Sequence, residues 1–373
     1  MKFKKKKIAI VAGARPNFVK IAQLVSILRK HRFFDYKLFH TGQHFDFEMS
    51  QVFFQDLKIP KPHFNLNIRS GKHPFTTQIA LIKKRLQEHF NKEQPDLCLV
   101  FGDANSAIGG ALAAHTLDIP VGHIEAGLRS FDRTMSEESN RLVTDLLSRF
   151  LFTHSESANK NLSKEGHSTS KMFFVGNTMI DALVRHKKEI AKRKVAQKLG
   201  FKPKEYGVLT LHRYNNTDIK PVLDDILQAI LMMQTELPLV FPIHPSTKER
   251  ISFFSPHFFK QLKFARNLHI SEPVGYLDSI SLLKDAKIVL TDSGGVQEET
   301  TFLGVPCVTL RQNTERPITV TAGTNVIGGI TKDQILSEFG EMMQKPKKRK
   351  KIPPLWDGKA SLRIVRVLEK KLL

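Results

Sequence analysis

Cysteine and long apolar runs are scarce in this chain, and each scarcity excludes a class of protein. The two cysteines, Cys98 and Cys307, both stand in apolar strand-like runs. They are expected to be buried, reduced thiols rather than a disulfide framework. No apolar run approaches the roughly 20 residues of a membrane-spanning helix. The apolar run after the first lysines stops at Arg15, which favours a β-strand over a signal peptide. We therefore predict a cytoplasmic protein.

Acidic residues are few relative to basic ones. Lys plus Arg number 58 and Asp plus Glu number 36, which gives a net charge of +22. Such a charge attracts polyanions, and nucleic acid is one candidate partner. Much of the excess, however, lies in runs at residues 2–7, 186–198 and 345–351. Charge runs are typical of solvated faces, and the last one resembles a nuclear address only in composition. We therefore expect no nucleic-acid partner.

Short apolar, β-branched runs alternate with helical periodicity along the whole chain. Hydrophobic residues make up 41% of the 373 residues, enough for packed cores in two domains of ordinary size. The alternation predicts an α/β fold with parallel sheets covered on both faces. We assign two Rossmann-like, doubly wound domains, at residues 1–184 and 185–356. The amphipathic helix at 357–373 is expected to pack back on one of them, the first in our assignment.

Carboxylates follow the predicted strands of the first half. Ligands bind at the carboxyl ends of strands in open parallel sheets, so candidates are sought there. Asp103, Glu125 and Glu137 stand at such positions. Asp103 and Ser136 also suit helix caps, and Glu137 with Arg141 suits an i,i+4 ion pair. Glu125 opens a buried crossover, where a carboxylate must be paired or functional.

Anion-binding candidates occur in both halves. Gly13 and Arg15 occupy the first strand–helix turn, either as an ordinary turn or as a clamp on an anionic oxygen. In the second half, Ser293, Gly294 and Gly295 open a helix whose amides suit a phosphate. Arg316 lies in a later loop. The sequence thus offers a carboxylate-bearing half and a phosphate-binding half, with a cleft expected between them.

Two histidines, His212 and His244, end strands of the second half. Metal ligation is one reading, but neither H-x-x-x-H nor C-x-x-C spacing accompanies them, so anion contact or hydrogen bonding is preferred. The G-x-G-x-x-G spacing of a nicotinamide site is also missing. We therefore expect no metal and no cofactor.

Long motifs in this order resemble the non-hydrolysing UDP-N-acetylglucosamine 2-epimerases. They include GARPNFVKIAQL, TGQHFDFEMS, GHIEAGLRSFDRTMSEESNR, LTLHR, TDSGGVQEETTFLGVPCVTLRQNTERP and TAGTNVIGG. The resemblance covers about residues 8 to 330, with a similar LWDGKASLRIV near the C-terminus. It implies a glycosyltransferase B-type fold, a homodimer, and inversion at C2 of a UDP-2-acetamido sugar through a glycal intermediate. It also implies a role in surface polysaccharide or lipopolysaccharide precursor synthesis.

The resemblance also implies residue roles. The acid–base carboxylates match Asp103, Glu125 and Glu137. The cations of the diphosphate and active site match Arg15, Lys20, Arg141 and His212; Ser293 matches a phosphate contact and Glu299 a ribose-binding carboxylate. Gln43, His44 and Arg69 resemble parts of a second, activating UDP-sugar site.

Three positions depart from the family pattern. Asn17 stands where Glu is common, Ser136 replaces a usual Pro, and Asn215 stands where a related subgroup has Glu. None removes a proposed acid or base, so activity is expected. Several motifs are closer to the subgroup acting on UDP-2,3-diacetamido-2,3-dideoxyglucuronate, which stays an alternative substrate. A UDP-sugar glycosyltransferase of the same fold and a hydrolysing relative are the rival enzymes.

Overall fold

The computed structural model describes residues 4–42, 47–68, 74–349 and 351–373. It divides into two compact units: unit 1 is residues 1–185 with 354–373, and unit 2 is residues 186–353. The division drawn from the sequence places these boundaries after residues 184 and 356. Each unit contains one of the two series of alternating strands and helices.

Unit 1 is built on a parallel sheet. Among its described residues the sheet has seven strands in the order β3-β2-β1-β4-β5-β6-β7. The strands are β1 (Lys6–Ala12), β2 (Phe34–His40), β3 (Phe64–Asn65), β4 (Leu97–Phe101), β5 (Val121–Ile124), β6 (Phe150–Thr153) and β7 (Met172–Phe174). The helices are α1 (Arg15–Leu28), α2 (Phe47–Asp56), α3 (Phe75–Glu93), α4 (Asn105–His115), α5 (Ser136–Leu147), α6 (Glu156–Lys164) and α7 (Thr178–Arg185), with a 3-10 turn at Thr169–Lys171.

Unit 2 repeats the design. In the part of it that is described, six parallel strands run in the order β10-β9-β8-β11-β12-β13. They are β8 (Gly207–Thr210), β9 (Leu239–Pro242), β10 (Leu268–Ser271), β11 (Ile288–Thr291), β12 (Cys307–Thr309) and β13 (Asn325–Ile327). The helices are α8 (Lys187–Arg193), α9 (Val195–Lys198), α10 (Tyr214–Thr217), α11 (Lys220–Glu236), α12 (Pro245–Phe254), α13 (Pro256–Phe264), α14 (Tyr276–Asp285), α15 (Gly294–Leu303), α16 (Pro317–Thr321) and α17 (Lys332–Gln344).

Burial explains why these segments form strands and helices. Strands β4 and β11, with the sequences LCLVF and IVLT, are buried at every position, as expected where helices cover both faces. On α1, Phe18, Ile21 and Leu24 are fully buried at helical spacing. The predicted fold of two parallel, doubly wound α/β units is confirmed. No helix within the described residues combines the length and apolar character needed to cross a membrane.

The C-terminal helix α18 (Ala360–Leu372) belongs to unit 1 and packs on α1 and α7. Its buried face carries Ile364, Val365 and Leu368. The Asp181 carboxylate accepts the backbone N–H groups of Ala360 at 2.9 Å and Ser361 at 2.6 Å. These are free amides of the first helical turn, so Asp181 ties the start of α18 to α7.

Strand order reverses at one point in each sheet. The first strand of each unit lies between its second and its fourth, β1 between β2 and β4 and β8 between β9 and β11. In open α/β sheets, ligands bind outside the carboxyl ends of the strands at such a switch point. The turns after β1 and β4, and those after β8 and β11, are therefore the places to look for a site.

Two local readings of helix starts are wrong. Ser136 is the first residue of α5 rather than its cap, and its hydroxyl donates to Glu137 at 3.2 Å. Asp103 does not cap α4, whose N-cap is Ala104.

Candidate active site

Strand β5 ends in a strained, buried carboxylate. Glu125 has φ 74°, in the left-handed region that costs a non-glycine residue about 1–3 kcal/mol. Its side chain is buried, and Oε2 lies 2.5 Å from Nζ of Lys20, which is also buried. Strain and a buried ion pair persist together only where the surrounding structure fixes them, and they cluster at functional sites.

The end of β4 approaches this ion pair closely. Gly102 has φ 63°, and a Cβ at this position would lie 2.8 Å from Nζ of Lys20. Only glycine combines that backbone conformation with such an approach. Because Asp103 follows directly, the turn after β4 carries the second carboxylate next to the Lys20–Glu125 pair.

Asp103 is held by a cation from α5. The guanidinium of Arg141 is buried, and it donates to Asp103 Oδ2 and, at 2.7 Å, to Glu138 Oε2. Glu138 also accepts the Ser130 backbone N–H at 3.0 Å. The Asp103 side chain remains 27% exposed. Asp103 is therefore oriented by a buried partner while part of it stays open to a ligand.

Asn17 joins the two turns at the switch point of unit 1. Its side-chain oxygen accepts the backbone N–H groups of Gly13 at 3.2 Å and Ala14 at 3.0 Å. Its side-chain NH2 donates to the carbonyl of Phe101, the last residue of β4, at 3.1 Å. An amide does both because it carries a donor and an acceptor, whereas a carboxylate only accepts. Asparagine here thus stabilises the site without adding another negative charge.

A buried network of charged side chains holds the turn after β4. Nδ1 of His123 lies 2.6 Å from Asp145, and Nε2 donates to the Gly102 carbonyl at 2.8 Å. Asp145 also accepts from Arg129 at 2.6 Å. Burial raises the pKa of Asp145, but His123 and Arg129 outweigh burial, so its pKa lies below the ordinary value. The ionised Asp145 holds His123, and His123 holds the turn that leads to Asp103.

In unit 2, a buried aspartate orients a histidine at the carboxyl ends of β8 and β11. Asp292 is completely buried and accepts the backbone N–H groups of His212 at 2.9 Å and Arg213 at 2.7 Å. Its other oxygen lies 3.0 Å from Nδ1 of His212, whose side chain is 46% exposed. Burial raises the pKa of Asp292, and His212 with the two amides lowers it overall. Nδ1 of the imidazole thus lies against a buried carboxylate, while nearly half of the side chain is exposed.

The start of α15 is shaped for an anion. Ser293 is the N-cap, but its side chain makes no capping hydrogen bond. A Cβ on Gly294 would lie 2.3 Å from NH1 of Arg316, so glycine lets that guanidinium reach the helix start. Arg316 is anchored by Glu298 at 2.8 Å and Glu315 at 2.6 Å. Free helix amides beside a fixed guanidinium suit phosphate oxygens.

Glu299 lies on α15 and is buried. Burial raises its pKa to about 8, a hydrogen bond from the Tyr276 hydroxyl opposes the rise, and the nearby Glu298 charge adds to it. The side chain is therefore mostly neutral at pH 7. A donor supplied by a ligand would favour its ionised form.

Comparison with known proteins decides the family. A sequence model described as UDP-N-acetylglucosamine 2-epimerase matches residues 26–369. The chain is 45% identical over 364 residues to a UDP-N-acetylglucosamine 2-epimerase homolog of Methanococcus maripaludis, covering 97% of this chain and 99% of that protein. The chain belongs to the UDP-N-acetylglucosamine 2-epimerase family. The protein is thus an isomerase, and the resemblance drawn from its motifs is confirmed.

Two further relatives are similar to this epimerase over most of its length. It is 41% identical to the Methanocaldococcus jannaschii UDP-GlcNAc 2-epimerase in its crystal structure with UDP-GlcNAc and UDP, with a TM-score of 0.91 and coverage of 98% and 99% of the chains. It is 39% identical over 334 residues to the UDP-2,3-diacetamido-2,3-dideoxy-D-glucuronate 2-epimerase of Pseudomonas aeruginosa, covering 88% of this chain and 90% of that protein. The first likeness supports the predicted glycosyltransferase B-type fold.

Most of the predicted site residues of this epimerase fall at the two switch points. Unit 1 brings together Lys20, Asp103, Glu125 and Arg141, and α5 carries Glu137 in its first turn. In unit 2, the turns after β8 and β11 and the start of α15 carry His212, Ser293, Gly294 and Gly295. Arg316 is the N-cap of α16, and its guanidinium reaches the start of α15. His244 is the N-cap of α12, where Nδ1 accepts the Ser246 N–H at 3.3 Å. Nδ1 of His244 is therefore used by the helix cap and is not free for the predicted ligand contact.

Some predictions fall where the structure is silent. Gln43, His44 and Arg69 lie outside the described residues. Arg15 begins α1, but its side chain is not among those described. Across the described residues, no group of three or more His, Cys, Asp or Glu side chains is placed to hold a metal ion.

The sequence reasoning missed the supporting residues of the epimerase. Asp292 directly follows a buried strand, so its strand-end position was a usable signal. No local signal in the sequence marked Asp145, because its partners His123 and Arg129 are 22 and 16 residues away and lie outside its helix. Asn17 was noted only as a departure from the family pattern.

Replacing Asp292 with asparagine should impair the epimerase through His212. We expect kcat to fall about 100-fold, because an amide no longer stabilises a positive charge on the imidazole it orients. The kcat–pH profile should also change. The control is Asp333→Asn, which removes a 90% exposed carboxylate from the same unit. An unchanged kcat and pH profile for Asp292→Asn would contradict this role.

Proposed function

We propose that this epimerase converts UDP-GlcNAc to UDP-ManNAc without hydrolysing it. A carboxylate of unit 1 removes the C2 proton while the C1–O bond to UDP breaks, which leaves a glycal with a C1–C2 double bond. UDP then adds back to C1 through its phosphate oxygen as a proton is delivered to the opposite face of C2. Atoms and charge balance without an oxidant or a metal. The observation that carries the proposal is the strained Glu125, paired with Lys20, beside the oriented Asp103.

The chemistry distributes roles among the described residues. Asp103, Glu125 and Glu137 are the acid–base candidates, since C2 needs a group on each face. Arg141 orients Asp103, and Lys20 forms an ion pair with Glu125. In unit 2, the amides of the α15 start and Arg316 would hold the diphosphate and stabilise it as it leaves. We propose His212 and Arg15 as further cationic contacts of the substrate.

The decisive experiment offers UDP-GlcNAc alone to the protein in deuterium oxide, with recovered sugars analysed by proton NMR. Deuterium at C2 and a new UDP-ManNAc signal are expected, with no acceptor present. No exchange, with sugar transferred only when an acceptor is added, would indicate a glycosyltransferase instead. Accumulation of UDP and free sugar in equal amounts would indicate a hydrolysing epimerase.

A second substrate follows from the Pseudomonas aeruginosa relative, whose name specifies the diacetamido uronate. The same NMR experiment run with UDP-2,3-diacetamido-2,3-dideoxyglucuronate separates the two. Exchange with this sugar only would keep the reaction and replace the substrate.

We also propose that the enzyme is a cytoplasmic homodimer that supplies precursors for surface polysaccharide. The cell compartment and the pathway are expectations that follow from the family. Light scattering during gel filtration tests the assembly, and a mass near 42.4 kDa, the mass of one chain, would contradict it.

Binding of UDP should strengthen with pH if Glu299 accepts ribose hydroxyls. Its pKa of about 8 means that the ionised fraction rises about eightfold between pH 7 and 8.5, and UDP affinity should follow. Titration calorimetry across this range measures the effect. In Glu299→Gln the dependence should vanish, whereas the exposed Glu236→Gln control should keep it. A pH-independent wild-type affinity would remove Glu299 from the UDP site.

A further inference from the structure

Unit 2 contains a pocket at the amino ends of its strands. His212 and Asp292 lie at the opposite, carboxyl ends. Its volume is about 420 Å³, within the order of size of small-molecule sites. It includes Lys204, Lys287 and Pro306, which precede β8, β11 and β12. Because the strands are parallel, the amino ends of all of them lie at this end of the sheet. Helix α15, of 10 residues and thus about 15 Å, runs from the proposed phosphate site to this pocket.

The lining of this pocket is strongly cationic. Five of its lining residues are basic and, among the described residues that line it, none is acidic: Lys204, Lys287, Lys347, Lys348 and Arg349. The rest are glycine and the apolar residues Pro306, Met342, Met343 and Pro346. A concave surface with a low dielectric constant and several charges of one sign concentrates counter-ions.

Three of the cations are fixed in place by backbone carbonyls. Lys204 donates to the carbonyls of Lys284 at 3.1 Å and Ala286 at 2.8 Å, at the C-terminus of α14. Arg349 donates to the carbonyls of Thr301 at 3.2 Å and of Phe302, at the C-terminus of α15.

Lys347 is fixed in the same way, by the carbonyls of Val320 at 2.6 Å and Asn325 at 2.8 Å. Dipolar carbonyls orient these groups but do not neutralise a full charge. The nearby Asp285 lies outside the lining and pairs with Lys284 at 3.5 Å. Burial lowers the pKa of Lys204, and the charge of Asp285 opposes that shift. The carbonyls thus hold three basic side chains in the pocket wall.

The other two cations have no bonding partner among the described residues. Lys287 and Lys348 are exposed, and neither ammonium group bonds to any residue in the described part of the chain. Two free ammonium groups facing a wall of three fixed cations match a ligand with at least three negative charges. Concavity and limited volume favour a small molecule over a nucleic-acid duplex, which needs an extended basic stripe.

We propose that this pocket binds a small oligophosphate, at a site separate from the one for UDP. The probe is inorganic tripolyphosphate, titrated by calorimetry into the full chain with UDP present at saturation, so that the first site is already occupied. One tripolyphosphate per chain is expected to bind, and more weakly as salt is raised. A parallel titration with ATP tests whether a nucleoside on the apolar floor adds affinity.

The test variant is Lys287→Glu with Lys348→Glu, which reverses two exposed charges that make no internal bond. We expect at least about a tenfold loss of tripolyphosphate affinity, since two attractions become repulsions. Lys188→Glu with Lys192→Glu is the matched control on α8, with the same change in net charge at exposed positions of unit 2. It should bind within about twofold of wild type.

Three results would overturn the proposal. One is no tripolyphosphate binding at low salt while UDP is bound. Another is an equal loss in both double variants, which would mean a response to net charge alone. The third is tighter binding of a duplex oligonucleotide that the Lys287/Lys348 variant abolishes, since the surface would then be a nucleic-acid site. Each readout is binding, so failure here leaves the epimerase assay untouched.

Discussion

Asp103→Asn is expected to lower the rate of C2 deuterium exchange about 1,000-fold while UDP binding stays within about twofold of wild type. The substitution keeps the size of the side chain and removes its ability to take or give the C2 proton. Arg141 retains Glu138 at 2.7 Å, so no buried guanidinium is stranded and folding should survive. The exchange rate is measured by proton NMR and UDP binding by calorimetry.

The matched control is Asp118→Asn, an exposed aspartate of unit 1 in a left-handed turn with φ 54°, where asparagine is well tolerated. It should exchange at the wild-type rate. Wild-type exchange by Asp103→Asn itself would remove Asp103 from the acid–base set. Glu125→Gln is a less clean variant, because it leaves Lys20 buried without its carboxylate.

Asp145→Asn should give the largest loss of stability, about 3–5 kcal/mol in the free energy of unfolding. The change leaves His123 buried beside a neutral amide, while Arg129 loses one of its two carboxylate partners and keeps Glu165. Urea unfolding followed by tryptophan fluorescence measures it in unit 1, because Trp356 is the only tryptophan and is buried there. Asp118→Asn serves again as the control and should unfold like wild type.

Acid should erase the difference between Asp145→Asn and wild type. The folded-state pKa of Asp145 lies below its unfolded value, so its stabilisation is fully present above the unfolded value. That stabilisation is lost as pH falls through the lower folded-state pKa. Unfolding curves at neutral and acid pH measure the trend. A loss below about 1 kcal/mol at neutral pH would show that the network does not stabilise the fold.

The candidate site was predicted unevenly. The positions of Asp103, Glu125, His212 and Ser293 at strand ends follow from local patterns, since an apolar run followed by turn residues marks the end of a strand. The capping reading of Asp103 was plausible by the same local rules and was wrong, because Arg141, 38 residues later, takes its carboxylate.

The sequence by itself determined the alternation of strands and helices, the two units, the family, and which polar residues stand at strand ends. The family follows from the resemblance of long motifs, and the other properties depend on side-chain periodicity and on turn residues a few positions apart. Only the tertiary structure decided the partners: Lys20 for Glu125, Asp145 for His123, and Asp292 for His212. Those pairs are 105, 22 and 80 residues apart. They form because the parallel sheet brings distant strand ends together and packs helices such as α1 and α5 against them, and neither the order of strands nor the packing of helices is written in any local pattern.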